Sequence, residues 1–243
     1  MNNLSHNKDT LRGELLTLLK KDNFFDFTYI VTPKNFEDKR LNRKDISNYP
    51  VYSTDPSQEP MMLALLQLYL RWTSGRNEKI SLAEMLKWTV ADPASVYVDL
   101  NTRAHAQRIL NQFDIISLDS YCVCEKSDAF QGLFLVSSKS IKQQKLYSIT
   151  SKLYTSSNYK VVHYFLTRQY PRLTNPIFYN GQLKDRTARI LDLTASGKSS
   201  EEITQEIHIS KNGVNYHLDK AKSLLNAKNK VELIFNAKTL CII

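Results

Sequence analysis

The chain has 243 residues, 42% hydrophobic and 23% charged, which is enough apolar material for a real core and room for one large domain or two modest ones. Thirty-three Lys and Arg against 24 Asp and Glu leave a net charge of +9, a balance that favours a polyanionic partner, nucleic acid before membrane. With six glycines and seven prolines, and no two glycines standing two apart, collagen-like chains, glycine-rich linkers and the phosphate-cradling loops of Rossmann and P-loop proteins are excluded.

In chain order, Thr10–Lys21 sets Leu11, Leu15, Leu18 and Leu19 on one side at helical spacing and reads as a first amphipathic helix. Phe24–Thr32 is aromatic and β-branched, stops at Pro33, and reads as a strand. A basic, proline-containing connection follows. Pro60–Thr73 opens with proline at the first helical position and is apolar nearly all round, which predicts a buried helix. Ser81-x-x-Glu84 is a capping box for another helix, ended near Asp92-Pro93. Asn101–Phe113 is helical with Asn101 as its cap, and Ile115–Glu125 with Gly132–Ser138 flank a turn and predict an antiparallel hairpin. Weak helical periodicity runs over Ser140–Arg168 through Ile141, Leu146, Ile149, Leu153, Val161 and Leu166, with a break at Thr155–Asn158. Tyr170–Gly181 interrupts it with two prolines, two asparagines and a glycine. The expected domains are therefore 1–170, a linker at 171–182, and 183–243.

The last segment is all helical by pattern: Leu183–Ala195, Ser200–Ile207, Lys211–Leu225 and Asn229–Ala237, joined by short turns. Gly197 suits a C-cap, Ser199-x-x-Glu202 a capping box, and Ser210 an N-cap. Two short helices across a tight turn are a helix-turn-helix. In its second helix, Val214, Leu218, Ala221 and Leu225 form one apolar stripe, while Lys211, Asn215, Asp219 and Lys222 form another with Asn212 beside it. Asn215 could read adenine and Asp219 accept from cytosine in a major groove. Residues 211–230 carry five lysines and one acid, a local charge of +4 suited to phosphates. The residues expected at DNA are Lys198, Ser199, Lys211, Asn212, Asn215, Tyr216, Asp219, Lys220, Lys222, Lys228 and Lys230.

The segment from Leu183 to Ile243 resembles the C-terminal DNA-binding domain of LuxR-type transcription regulators. The matching positions are Leu183, Arg186, Ile190, Leu191, Ala195, Gly197, Lys198, Ser199, Glu202, Ile203, Ile209, Ser210, Val214, His217, Asn229, Ile242 and Ile243. The resemblance implies that Lys211–Leu225 is the recognition helix and that the last helix pairs two such domains. Thr187 and Arg189 depart from the family's usual glutamates, Thr204 from alanine, Gly213 from threonine and Cys241 from glycine.

The front segment lacks the paired acids that end the first strand of a phosphoreceiver domain. Its order of helix, strand, helices, hairpin and long helices is similar to an acyl-homoserine-lactone-binding domain, α/β/α in layers. Asp92-Pro93 stands for that family's ligand-binding Asp-Pro, but Lys79 and Ala83 fall where its Trp and Tyr are expected. Tyr69, Trp72, Trp88, Asp92 and Tyr97 are the candidate pocket residues, against a plainer reading as aromatic core and a helix end. Such a lining would suit a small, mostly apolar signal with an amide or hydroxyl donor.

The fold expected is α+β, an α/β/α layered front domain with a small antiparallel sheet, followed by an all-α four-helix helix-turn-helix domain. The function expected is a bacterial, cytoplasmic, quorum-sensing-type transcription regulator, a homodimer on double-stranded DNA under control of a signal or partner, with RNA polymerase as a further contact. No catalytic residues, cofactor, metal site or membrane contact are expected: the five histidines are scattered, Cys122, Cys124 and Cys241 are too few for a zinc site or a disulfide framework, and the stretch around Met61–Trp72 is too short for a bilayer. The rival readings are a ligand-independent regulator and an interaction protein whose helix-turn-helix no longer reads sequence.

Overall fold

The computed structural model describes residues 8–19, 25–34, 46, 49–74, 80–87, 97–124, 129–155 and 158–243. The chain divides into two compact units, one of Met1–Thr32, Asp45–Cys124 and Gln131–Leu166, the other of Pro33–Lys44, Glu125–Phe130 and Thr167–Ile243.

In the first unit, α1 (Lys8–Leu19) buries Leu11 and Leu15, as the leucine spacing predicts. Four strands follow at intervals, β1 (Asp26–Pro33), β2 (Tyr52–Ser53), β3 (Ser117–Val123) and β4 (Phe130–Ser138), and form one small antiparallel sheet in the order β2-β1-β4-β3. The predicted hairpin pairs Ser117 with Ser138 and Val123 with Gly132. The inner strands β1 and β4 are buried almost throughout, so they show no strict alternation of apolar and polar residues. The two-residue β2 was not legible: it lies in the proline-containing connection and pairs Ser53 with Thr28 and Tyr52 with Tyr29.

The helices of this unit are α2 (Glu59–Thr73), α3 (Leu82–Leu86), α4 (Leu100–Gln112), α5 (Gln143–Thr155) and α6 (Asn158–Gln169). Adjacent residues of β3 point to opposite faces of the sheet, and each ties down a different helix. Ser120 Oγ donates to Ala83 O of α3 at 2.9 Å. Asp119 Oδ2 accepts from Thr150 Oγ1 of α5 at 2.5 Å. The sheet therefore lies between two helical layers, the expected α/β/α arrangement. On the α5–α6 side, Tyr159 stacks near Phe134 and Tyr121, with ring centroids 5.0 and 5.3 Å apart, and His163 Nδ1 meets Tyr29 Oη at 2.8 Å.

Three local expectations are corrected. Asp99, not Asn101, caps α4: its carboxylate accepts from Thr102 N at 2.9 Å, so the helix begins at Leu100. A carboxylate also suits a helix N-terminus electrostatically, which Asn101 cannot match. Val161 is 64% exposed, because the buried face of α6 is set by Tyr159, Val162, His163 and Leu166. The interrupted stretch 170–181 is not irregular: it folds into α7 (Pro171–Thr174) and α8 (Pro176–Tyr179), each opened by its proline.

The second unit adds α9 (Asp185–Ala195), α10 (Ser200–Ile207), α11 (Lys211–Leu225) and α12 (Lys230–Thr239), four helices within a residue or two of their predicted limits. Asn175 joins its two ends: Oδ1 caps α8 by accepting from Ile177 N at 3.0 Å, and Nδ2 donates to Leu240 O at 2.7 Å, just past α12.

Candidate nucleic-acid interface

The helix-turn-helix is set by local chemistry at each end. After α9, Gly197 takes φ +86°, and the N–H groups of Gly197 and Lys198 close onto Thr194 O and Leu193 O, both at 3.1 Å, a Schellman end that glycine adopts without strain. Ser199 then caps α10 in a reciprocal box: its Oγ accepts from Glu202 N at 3.3 Å and its N–H donates to Glu202 Oε2 at 2.7 Å. His208 turns the chain in the left-handed region at φ 52°. Two residues later Ser210 Oγ accepts from Gly213 N at 3.1 Å and starts α11.

Helix α11 carries two faces because its apolar residues repeat at steps of four and three. Val214, Leu218, Ala221 and Leu225 are all buried and pack with Ile190, Leu191, Ile203 and Leu233. Lys211, Asn212, Asn215, Tyr216, Asp219 and Lys220 are exposed on the remaining surface, with Tyr216 63% exposed. Lys228 stands exposed before α12, and Lys230 opens it.

Acidic groups on neighbouring turns hold several of these cations. Glu201, in the first turn of α10, pairs with Lys211 at the start of α11. Glu206 pairs with Lys198 and also accepts from Arg189 Nη2 at 2.7 Å, joining α9 to α10. Asp219 accepts from Lys222 Nζ at 3.1 Å within α11. The lysine hydrogen bonds keep the Glu201 and Glu206 carboxyls below the usual glutamate range, and the Ser199 amide and hydroxyl do the same for Glu202. Sequence reading did not find the Arg189, Glu201 and Glu206 contacts, since partners on different helices leave no spacing signal.

Residues 182–237 match the family model for bacterial regulatory proteins of the luxR family. They form a luxR-family domain. No curated protein matches the chain. Among solved structures it is similar to SdiA in complex with octanoyl-rac-glycerol, at 16% identity over 96% of this chain and 88% of that one, with a TM-score of 0.44. It is likewise similar to Escherichia coli SdiA, at 16% identity over 98% and 92%, with a TM-score of 0.40.

The luxR-family domain accommodates its unusual residues through specific contacts. Thr187 is buried with Oγ1 2.8 Å from His217 Nδ1, and partial burial, followed by Arg186, Lys220 and Lys184, lowers the His217 pKa. Arg189 finds Asp192 at 3.0 Å in addition to Glu206. Thr204 Oγ1 donates back to Ser200 O at 2.8 Å. Gly213 has room for a methyl group, which would meet Ile209 Cδ1 and Ser210 Oγ at 3.4 Å. Cys241 sits at φ 50°, the left-handed conformation that glycine adopts most easily.

In the first unit, Tyr69 and Trp72 lie in the buried part of α2, and Tyr69 Oη donates to Ile80 O at 2.7 Å. Burial pushes the Tyr69 phenol up to about 12, so it keeps its proton. Tyr97 is 58% exposed. Trp88 and Asp92 lie outside the described residues.

Proposed function

We propose that this chain is a bacterial transcription regulator that binds double-stranded DNA as a homodimer, with α11 in the major groove and the first unit responding to a signal. The observation that carries the reading is the exposed face of α11: polar and cationic residues fill it, in a luxR-family domain whose opposite face is fully committed to the core. Asn215 has the amide geometry to read adenine, and Lys220, Lys228 and Lys230 supply phosphate contacts, with Ser199 and Lys198 at the start of α10. One short helix reads few base pairs, so paired half-sites raise specificity. A small apolar signal with a hydrogen-bond donor, bound near Tyr69 and Trp72 with Trp88, Asp92 and Tyr97 as further candidates, would shift the population competent to bind DNA. RNA polymerase is a further candidate partner, for an activating role, and the cytoplasm is the compartment in which such a regulator meets DNA. Among the described residues no helix is long and apolar enough to cross a membrane.

The test is selection of the full-length protein on random duplex DNA, followed by salt titration on the winning sequence. An enriched inverted repeat with a steep salt dependence is the expected outcome. Binding that is indifferent to sequence, or absent, favours the interaction-protein reading. Asn215→Ala should relax discrimination at one base position by about 1–3 kcal/mol, whereas Lys220→Ala should weaken all duplexes alike. Native mass spectrometry of the purified protein separates a signal-bound regulator, which retains a small molecule, from a ligand-independent one.

A further inference from the structure

Three lysines expected at DNA are already held by anions: Lys222 by Asp219 within α11, and Lys211 and Lys198 by glutamates of α10. Lys211 stands on the first residue of α11, and its ammonium lies on the Glu201 carboxylate of α10. Lys198, just before α10, lies on Glu206, which also accepts from Arg189 at 2.7 Å. The two glutamates differ in their attachments. Glu206 holds two cations, Lys198 and Arg189, and its side chain is 30% exposed, so it helps hold α9 to α10. Glu201 and Lys211 have side chains 61% and 60% exposed. An ion pair that open to water adds little to a fold and is easily broken.

We propose that Glu201 is an intramolecular stand-in for a DNA phosphate, holding Lys211 and thereby setting how strongly the domain grips DNA of any sequence. The inference rests on the reading of α11 as the DNA-facing helix. When the domain docks, Lys211 either leaves Glu201 for a phosphate or keeps it and brings a carboxylate up to the polyanion. Both outcomes carry a cost that is the same for every duplex, because phosphates hold no sequence information. A glutamate is ionised at neutral pH, and the Lys211 hydrogen bond shifts the Glu201 carboxyl further down, so the stand-in is charged there. A chain of net charge +9 otherwise has a strong general attraction to nucleic acid, and an internal anion at the docking helix restrains it. The base-reading candidate Asn215 lies one turn further along α11 and is not part of this pair.

The experiment compares wild type, Glu201→Gln, Lys211→Gln and the double variant, each full length, on the selected operator and on a random duplex across a salt series. Glu201→Gln should bind both duplexes roughly two- to five-fold tighter at the same ratio of affinities, which is the scale of an exposed pair. If wild-type Lys211 keeps Glu201 in the complex, the variant's plot of log affinity against log salt should also steepen by about one phosphate contact per chain; if Lys211 leaves Glu201, the affinity rises at an unchanged slope. The double variant should lose that gain, since no lysine remains to be released. Unchanged affinity in Glu201→Gln overturns the proposal, and so does a gain that survives in the double variant, which would make Glu201 a general charge effect. Glu201→Ala, with melting temperatures of all variants, guards against a folding defect in the first variant. If wild type and every variant bind no duplex, the DNA reading fails and takes this inference with it. If wild type binds and Glu201→Gln binds the same, the inference alone fails.

Discussion

At the scale of single residues, Gly213 and Cys241 show how a departure from a family pattern becomes a measurable quantity. Gly213 lies in the first turn of α11, where a methyl group would reach Ile209 and Ser210 at van der Waals contact without a clash, so Gly213→Ala should stabilise the protein by about 0.5–1 kcal/mol in urea unfolding, through a stiffer unfolded chain and better helix propensity. Cys241 is the converse case. A side chain at φ 50° is strained, so Cys241→Gly should raise stability by up to about 1 kcal/mol, and Cys241→Ala should not. Gly132 allows no such freedom: a methyl group there would lie 2.3 Å from His163 Nδ1, so Gly132→Ala should destabilise by about 1–3 kcal/mol. His217 adds a pH dependence. Its folded pKa is lowered, so the unfolded chain binds the proton more readily as pH falls below the ordinary value of 6.5. The stability that neutral His217 contributes is complete above that value and is lost as pH falls through its folded pKa. Melting temperatures should therefore drop between neutral and mildly acidic pH, and by less in His217→Gln.

At the scale of elements, the second unit was legible nearly residue by residue. Its limits are written in local chemistry: Gly197 past α9, the Ser199–Glu202 box before α10, Ser210 before α11 and Asn229 before α12. Ser210→Ala should therefore cost about 1 kcal/mol of stability, read by thermal unfolding, without altering any side chain on the exposed face of α11. The first unit was legible where an element was long and periodic, as in α2 and the β3–β4 hairpin, and less so elsewhere. Strand β2 has two residues, and it exists because Tyr52 and Ser53 meet Tyr29 and Thr28 across the sheet, a pairing of residues more than twenty positions apart. The short helices α7 and α8 were hidden by the same prolines that start them.

At the scale of the whole molecule, charge and fold meet in the behaviour toward DNA. Binding of the full chain should fall as salt rises, with log affinity dropping by about 0.9 for each tenfold increase in salt per phosphate contact, and substitution of Lys228 or Lys230 should flatten that slope. Composition, capping residues and the spacing of Val214, Leu218, Ala221 and Leu225 determined from the sequence alone that a helix-turn-helix closes this chain, and which face of α11 stays free. These signals are carried by residues within a few positions of one another, so they survive without any knowledge of the fold. Which cations stay available was decided only by the tertiary structure. Lys211 and Glu201, Lys198 and Glu206, Arg189 and Glu206 come together because α9, α10 and α11 pack around one core. The same holds for Asp119 on Thr150 and Tyr29 on His163, which set the layers of the first unit. Contacts between distant segments depend on how the elements pack, and that packing is the sum of many small burial terms that no single stretch of sequence contains.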